Sequence, residues 1–354
     1  MTPPEEPPRR ATGHDVAGRA GVSQSTVSLV LAGKAAGRVS PAIQRRVLEA
    51  AAELRYRPDA SARALRSGRS RAVGLFVPDV TNPFLGRTLR GAQAAARRAG
   101  YDVALVEPGD DRDDQARSME SLRAGAVDGL LLFVVEPPAE ALAGLAPVVL
   151  IEAERPGVPS VALEVARGAD ALLDHLTELG HRRIAYLGAA LDVATFRRRG
   201  ERWSDHLDGL GVPTAERRRA AAPFTLDGGR TTAHGLLTNG PGPRPTAVFC
   251  DDDLLAAGAR LAAADLGLDV PGDVSIAGFA GTILSESSVP ALTTVLAPAE
   301  DLGATAMAKL LALIEGRPVE ERTRLPVELA VRGSTAPPAG SGPPGGRPSR
   351  RRRR

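Results

Sequence analysis

One stretch of this sequence, residues 15–32, constrains the fold more than any other. Its apolar residues recur at the spacing of two short helices. Between the helices, Gly21 can end the first by adopting a positive φ angle. The hydroxyl of Ser23 can cap the second by accepting a hydrogen bond from a free backbone N–H. The inward positions are Val16, Ala17 and Ala20 in the first helix and Val27, Val30 and Leu31 in the second.

The second helix directs small polar side chains outward, most of them near its start. The outward positions are Gln24, Ser25, Thr26, Ser28 and Leu29. Two short helices joined by a tight turn are typical of a helix-turn-helix, whose second helix enters the major groove of DNA. An ordinary helical hairpin in a protein core has the same pattern. The pattern alone is therefore compatible with both.

A third helix follows, opened by Ser40 as N-cap and Pro41 at its first position. Its apolar stripe consists of Ile43, Val47, Ala50, Ala51 and Leu54. Three helices within the first 57 residues form a small domain with a thin core.

Charge is distributed unevenly along the chain. Residues 1–72 carry a net charge of +7 and residues 337–354 carry +6, whereas residues 73–336 carry −10. A basic end on an acidic body is typical of a nucleic-acid-binding segment joined to a part with another task.

From Ala72 the sequence alternates between apolar runs and amphipathic helices. Continuous runs of Val, Leu and Ile indicate parallel strands buried on both faces. Two series of about 130 residues each, the second beginning with the strand 160–163, predict two doubly wound α/β lobes. Ligands of such sheets bind at the carboxyl ends of the strands. The predicted strands are 72–77, 103–106, 129–135, 148–151, 160–163, 184–187, 247–250 and 274–278.

Several classes of protein and of site are disfavoured. No apolar run is long enough to span a bilayer, and residues 1–10 lack a signal-peptide core, so we expect a cytoplasmic protein with no membrane partner. Phosphate-loop, nucleophile-elbow and His-Glu-x-x-His motifs do not occur, so we expect neither an enzyme nor a cofactor. The run 251–253 consists of three aspartates, but successive side chains at a strand end diverge, and we predict no metal site there.

Seven sequence motifs lie at 15–28, 54–58, 81–84, 179–185, 270–279, 292–295 and 325–335. In their order and spacing they resemble the motifs of the lactose-repressor (LacI/GalR-type) family of bacterial transcription regulators. The resemblance implies an all-α helix-turn-helix head and a hinge helix joined to an α/β two-lobed, periplasmic-binding-protein-like body. It predicts an N-terminal extension at 1–11, a DNA-binding domain at 12–58, a hinge at 59–71, an effector-binding and dimerisation core at 72–335, and a disordered Arg-rich tail at 336–354.

The resemblance implies which residues meet DNA. Residues 60–66 have helical composition but are too short to be stable alone, so composition favours a linker, whereas the resemblance predicts a hinge helix that orders on DNA. Leu65 then matches the side chain that wedges into the minor groove. Many relatives carry an arginine that reads guanine at the position of Leu29. The operator sequence of those relatives therefore cannot be assumed for this chain. The implied DNA-binding residues are Gln24, Ser25, Thr26, Ser28, Leu29, Arg57, Ala62, Arg63 and Leu65.

The resemblance also implies an effector site in the body. Asp252 replaces a usual amide and Ala280 replaces a carboxylate, so the site should disfavour a typical neutral sugar or bind nothing. Arg199 also belongs to an arginine run typical of a solvated face, and a tryptophan such as Trp203 is commonly a core residue. The implied residues are Asn82, Phe84, Glu152, Arg199, Trp203, Asp252 and Ala280.

The sequence therefore predicts a DNA-binding transcriptional regulator. The expected partners are a near-palindromic double-stranded operator, a second copy of the chain and a small-molecule effector of unspecified identity, and the expected role is that of a ligand-responsive repressor. An effector-independent or activating regulator of the same family is the nearest alternative. A solute-binding protein of the transport type shares the body fold but not the basic head.

Overall fold

A computed structural model describes residues 11–56, 69–77, 79–107, 127–133 and 147–339. The chain divides into two compact units, Met1–Arg71 and Ala72–Arg354, which we call the head and the body. The predicted hinge helix at 60–66 and the part of the Arg-rich tail from residue 340 onward lie outside the described residues.

The head contains three helices around one apolar core. They are α1 (Gly13–Ala20), α2 (Gln24–Leu31) and α3 (Pro41–Glu53). Gly21 has a φ of 62°, as the turn requires, and Ser23 and Ser40 cap α2 and α3 through their side chains. All three local predictions are confirmed. The core is formed by residues contributed by every helix, chiefly Val16, Ala17, Ala20, Val27, Val30, Val47, Ala50 and Ala51.

The first lobe of the body contains a six-stranded parallel sheet. Its strand order is β11-β5-β4-β3-β1-β2, and every pair in it is parallel. The strands are β1 (Ala72–Phe76), β2 (Asp102–Val106), β3 (Leu130–Phe133), β4 (Val148–Ile151), β5 (Ser160–Leu163) and β11 (Arg322–Leu325).

The second lobe contains another six-stranded sheet, in the order β12-β10-β9-β8-β6-β7. In the described part of the chain, the edge strand β12 pairs antiparallel with β10, and the other pairs of this sheet are parallel. The strands are β6 (Ile184–Ala189), β7 (Arg219–Ala222), β8 (Ala247–Cys250), β9 (Ser275–Ala280), β10 (Thr293–Leu296) and β12 (Glu328–Ala330).

Helices cover these sheets, as the alternating pattern predicts. The body helices are α4 (Pro83–Arg98), α5 (Val165–Glu178), α6 (Ala194–Gly209), α7 (Leu226–Thr238), α8 (Asp253–Asp265), the short α9 (Ile283–Ser287) and α10 (Ala299–Ile314). The combination of a helical head and two α/β lobes confirms the predicted fold class.

The division of the body into two successive series is wrong. Ser160–Leu163, expected to open the second lobe, pairs with β4 of the first lobe. The chain also returns to the first lobe through β11, which pairs with β5. Each lobe is therefore assembled from separated segments of the chain.

Helices α4 and α10 pack closely against each other in the first lobe. A Cβ built at Gly91 would lie 1.9 Å from the carbonyl oxygen of Glu300, and one built at Gly303 would lie 1.9 Å from the carbonyl oxygen of Thr88. Two glycines thus let the helix backbones touch, and larger residues at either position would separate them.

Within the described ranges, no helix is both long enough and apolar enough to cross a membrane.

Candidate DNA-reading helix and effector cleft

Helix α2 presents its polar side chains to solvent. Gln24, Ser25 and Ser28 are exposed, whereas Thr26 and Leu29 are half-buried. The Ser23 hydroxyl accepts the backbone N–H of Thr26 at 3.2 Å. Because this cap fixes the first turn, the exposed side chains extend from a rigid helix end rather than from a loop.

Hydrogen bonds also fix both ends of α1, the helix that precedes the turn. Thr12 and Asp15 form a capping box at the start of α1, with Thr12 N–H donating to the Asp15 carboxylate at 2.7 Å. The Val22 N–H closes the turn by donating to the Ala17 carbonyl at 3.0 Å. The four other residues implied to meet DNA, Arg57, Ala62, Arg63 and Leu65, lie outside the described residues.

A cavity of about 410 Å³ lies between the two lobes of the body, and we call it the cleft. Its volume is within the range of small-molecule sites. It lies at the carboxyl ends of strands from both sheets, where ligands of doubly wound folds bind. The structure brings six of the seven implied effector residues to its wall: Asn82, Phe84, Glu152, Arg199, Asp252 and Ala280.

Two of these residues occupy strained backbone positions. Glu152, after β4, has a φ of 58°, and Ala280, at the end of β9, has a φ of 109°. Such angles are unfavourable for residues with a Cβ and are concentrated at functional sites. Their occurrence on facing lobes of one cavity supports a binding role for the cleft.

The acids of the cleft wall are buried and hydrogen-bonded to backbone. Glu152 accepts the Leu163 N–H at 2.6 Å, and burial raises the pKa of its carboxyl. Asp252, at the start of α8, accepts the Leu254 N–H at 2.8 Å. Burial, together with the neighbouring Asp253, raises the pKa of Asp252 to about 8. Both acids therefore lose charge more readily than exposed carboxyls do.

Arg199 is the buried cation of the cleft wall, 5% exposed. Its guanidinium lies over the Phe279 ring, with Cζ 3.7 Å from the ring centroid. One terminal nitrogen donates to the Asp251 carbonyl and the other to the Thr195 hydroxyl at 3.2 Å. Its Nε is buried and has no hydrogen-bond partner in the described part of the chain. The interpretation of Arg199 as part of a solvated arginine face is therefore wrong.

Trp203 does not reach the cleft. It is 3% exposed, stacks on Tyr186 at a centroid distance of 5.5 Å, and donates its indole N–H to the Ile184 carbonyl at 3.1 Å. It lies four residues after Arg199 on α6, one helical turn further along the helix axis, where it packs on the sheet. Its implied place in the effector site is therefore wrong, and Trp203 is a core residue.

Sequence reasoning missed most of the aromatic lining. Phe133, Phe196, Phe224 and Phe279 all line the cleft beside Phe84. Phe133 and Phe279 end or nearly end buried strands, and Phe224 follows β7 after one residue. The position of a large aromatic residue at the carboxyl end of a strand was the signal available for them.

Replacing Asp252 with asparagine should stabilise the body. Asparagine keeps the acceptor oxygen that caps α8 but has no charge to bury. Since the pKa of Asp252 is about 8 in the folded chain, against 3.8 without burial, folding stability falls as pH rises from about 4 to 8. We expect Asp252→Asn to gain at least about 2 kcal/mol at pH 8 and far less at pH 4.5.

Thermal unfolding of both chains across this pH range measures the effect. The contribution of Asp252 to folding stability is neutral below pH 4 and increasingly unfavourable above it. The difference in melting temperature between the two chains should therefore increase as the pH rises. A constant difference, or a less stable variant at pH 8, would contradict a neutral Asp252 in the cleft.

Side chains of His, Cys, Asp and Glu form no group of three or more that could hold a metal ion, as far as the described residues extend.

Comparisons with known proteins agree with both parts of the structure. Residues 12–59 match the family described as bacterial regulatory proteins, lacI family, and residues 173–335 match the periplasmic binding protein-like domain. The chain is 31% identical to the HTH-type transcriptional regulator DegA of Bacillus subtilis, over 93% of this chain and 99% of DegA.

Two further similarities extend over nearly the whole length. The ribose operon repressor of Halalkalibacterium halodurans is 33% identical, covering 92% of this chain and 97% of that protein. A crystal structure of the lac repressor dimer, bound to operator and the anti-inducer ONPF, superposes with a TM-score of 0.82 at 26% identity, covering 93% of this chain and 100% of that one.

Proposed function

The chain belongs to the lacI family of bacterial regulatory proteins and is a DNA-binding transcriptional regulator, and from this premise we propose that it is a ligand-responsive repressor. Its relatives named above are regulators rather than enzymes. The observation that carries the proposal is the exposed polar start of α2, fixed by the Ser23 cap inside a segment that matches the family's DNA-binding unit.

In this proposal α2 reads the major groove. Gln24 is suited to an adenine edge because its amide can donate and accept at once. Ser25 and Ser28 are exposed beside it and can bond to bases or phosphates. Thr26 is assigned to a phosphate, and Leu29 to the methyl group of a thymine.

The contacts beyond α3 are proposed from the family resemblance. Arg57 and Arg63 are assigned to phosphates, and Leu65 to a central minor-groove step, with Ala62 permitting close approach. In this scheme residues 12–58 bind DNA, residues 59–71 form the hinge, and residues 72–335 bind the effector and dimerise.

A second copy of the chain is part of the proposal. One helix the length of α2 contacts only a few base pairs, and pairing two heads on one site multiplies the affinity. Two-fold symmetry then requires a near-palindromic operator. Since DNA is the partner, we infer that the protein acts in the cytoplasm.

The cleft is the proposed effector site. Asn82, Phe84 and Glu152 belong to one lobe and Arg199, Asp252 and Ala280 to the other. A ligand that contacts both groups favours one relative orientation of the lobes. Because the head directly precedes β1 in the chain, we propose that the relative orientation of the lobes alters DNA affinity.

Selection of binding sites from random duplex DNA with the full chain tests this function. We expect enrichment of an inverted repeat whose half-sites are identical or nearly so, because the two heads are related by symmetry. Enrichment of a single unpaired half-site would contradict the homodimer. No enrichment over the starting pool would contradict sequence-specific binding.

A further inference from the structure

The cleft is unusually rich in aromatic side chains. Five of the seven phenylalanines of the chain line it. Phe84 and Phe133 form a tilted pair from the first lobe, with centroids 6.2 Å apart, and Phe196 and Phe224 form another from the second lobe, 5.8 Å apart. The fifth, Phe279, lies beneath Arg199. Aromatic surface contributed by both lobes favours a flat, apolar body in the ligand.

Arg199, in the wall of the cleft, has one hydrogen-bond donor without a partner in the described part of the chain. Arg199 Nε is buried without a partner within the described residues, while both terminal nitrogens of the same guanidinium are engaged. A buried N–H without an acceptor is unfavourable, and a ligand oxygen that accepts it would remove that cost. The stacking of the guanidinium on Phe279 holds the N–H in place.

The acids beside Arg199 also favour an acceptor. Each of Glu152 and Asp252 uses one carboxyl oxygen to accept a backbone N–H, and burial raises the pKa of both. The carboxyl of Asp252, whose pKa is about 8, is protonated at neutral pH and can donate through its other oxygen. Asp251 also lies next to Arg199 and opposes its charge. Burial raises the pKa of Asp251 to about 6, and the guanidinium of Arg199 limits this rise.

Charge in the rest of the lining disfavours an anion. Asp79 and Glu107 are the remaining carboxyl groups of the wall, and each accepts a backbone N–H, from Thr81 and Val80 respectively. An anionic ligand would face these groups with one arginine already opposed by Asp251. A polyol would bury hydroxyls against phenylalanine rings, leaving them unpaired.

We propose that the effector is a neutral, planar aromatic molecule with a conjugated carbonyl oxygen, which accepts from Arg199 Nε while its ring packs among the phenylalanines of both lobes. The proposal rests on the proposed function in taking the cleft as the effector site. It adds the chemical class of ligand, which distinguishes this cleft from one built for sugars.

Calorimetric titration of the full chain with matched small probes tests the class. Coumarin is planar, neutral and an acceptor without a donor, whereas indole has a similar bicyclic shape but only a donor. Cinnamate adds a negative charge, and ribose is a polyol. We expect coumarin to bind at least ten times more tightly than indole, cinnamate or ribose. Equal or tighter binding of any of the three would overturn the proposal, as would no binding of coumarin.

Two arginines on the same helix provide a matched pair of variants. Arg199→Met keeps an apolar stem but removes the Nε donor, and Arg197→Met removes an exposed arginine that pairs with Asp192 outside the cleft. We expect coumarin affinity to fall at least tenfold in Arg199→Met and to remain unchanged in Arg197→Met. Equal affinities in the two variants would overturn the assignment of the donor.

A third variant covers the case in which Arg199→Met does not fold. Phe224 is only half-buried, so Phe224→Leu should fold. We expect this variant to bind coumarin at least threefold more weakly, while its affinity for ribose stays unchanged. Unchanged coumarin affinity would overturn the packing argument. Ribose binding with no coumarin binding would overturn the ligand class while leaving a ligand-responsive regulator intact, and the selection of operator DNA tests that regulator separately.

Discussion

Alanine at both Gln24 and Ser28 is expected to weaken operator binding at least about 100-fold, since each base contact contributes about 1–3 kcal/mol. In a homodimer the change acts at both half-sites, so the loss is counted twice in one complex. Both side chains are exposed and outside the head core. The fold of the head should therefore be unaffected.

Fluorescence anisotropy with the selected operator and with a scrambled duplex of equal length separates the two kinds of contact. Affinity for scrambled DNA comes from phosphate contacts and should change less than threefold in the double variant. A thermal unfolding curve identical to that of the unaltered chain serves as the folding control. Unchanged operator affinity, or an equal loss of affinity for both duplexes, would show that α2 does not read the DNA sequence.

Gly91→Ala is expected to destabilise the body by about 3 kcal/mol or more, the upper range for overpacking a tight contact. The new methyl group would lie 1.9 Å from the Glu300 carbonyl oxygen. Backbone atoms cannot swing away as a flexible side chain can, so α4 and α10 must separate. Separation also loosens their packing on the first-lobe sheet, against which α10 lies.

Gly86→Ala on the same helix is the matched control. A Cβ there meets nothing within 4 Å, and alanine loses less conformational entropy than glycine in a helix. We expect a gain of about 0.5 kcal/mol from this change. Urea unfolding of both variants measures the difference. Equal stabilities, or a Gly91→Ala chain as stable as the unaltered one, would contradict the close helix contact.

Local features of the fold were predictable because their causes lie within a few residues. The Ser23 and Ser40 caps and the positive φ of Gly21 each depend on neighbours one to three positions away. The buried apolar strands, such as Val148–Ile151, were equally clear because both faces are covered. The sequence therefore predicted the head and the α/β character of the body.

Features that depend on distant pairing were not predictable. Arg322–Leu325 alternates between exposed and half-buried residues and becomes a strand only by pairing with β5, some 160 positions earlier. Its pairing partner, Ser160–Leu163, lies in the first lobe, whereas the order of strands along the chain predicts the second. No periodicity within either segment shows this connection.

The cleft was partly predictable. Asn82, Phe84 and Arg199 reach it because each lies near the start of a helix that follows a strand. Trp203 does not, since four residues along α6 its side chain packs against Tyr186. The unpartnered Nε of Arg199 could not be found by sequence reasoning, because it depends on how two other atoms of one side chain are engaged.

The central claim is that the head reads DNA sequence, and the most direct test is the affinity of the unaltered full chain for two duplexes. In one titration series at one salt concentration, the selected operator is compared with its scrambled sequence. We predict at least about 1,000-fold tighter binding of the operator. Equal affinity for the two duplexes would contradict the claim, because phosphate contacts alone do not distinguish them.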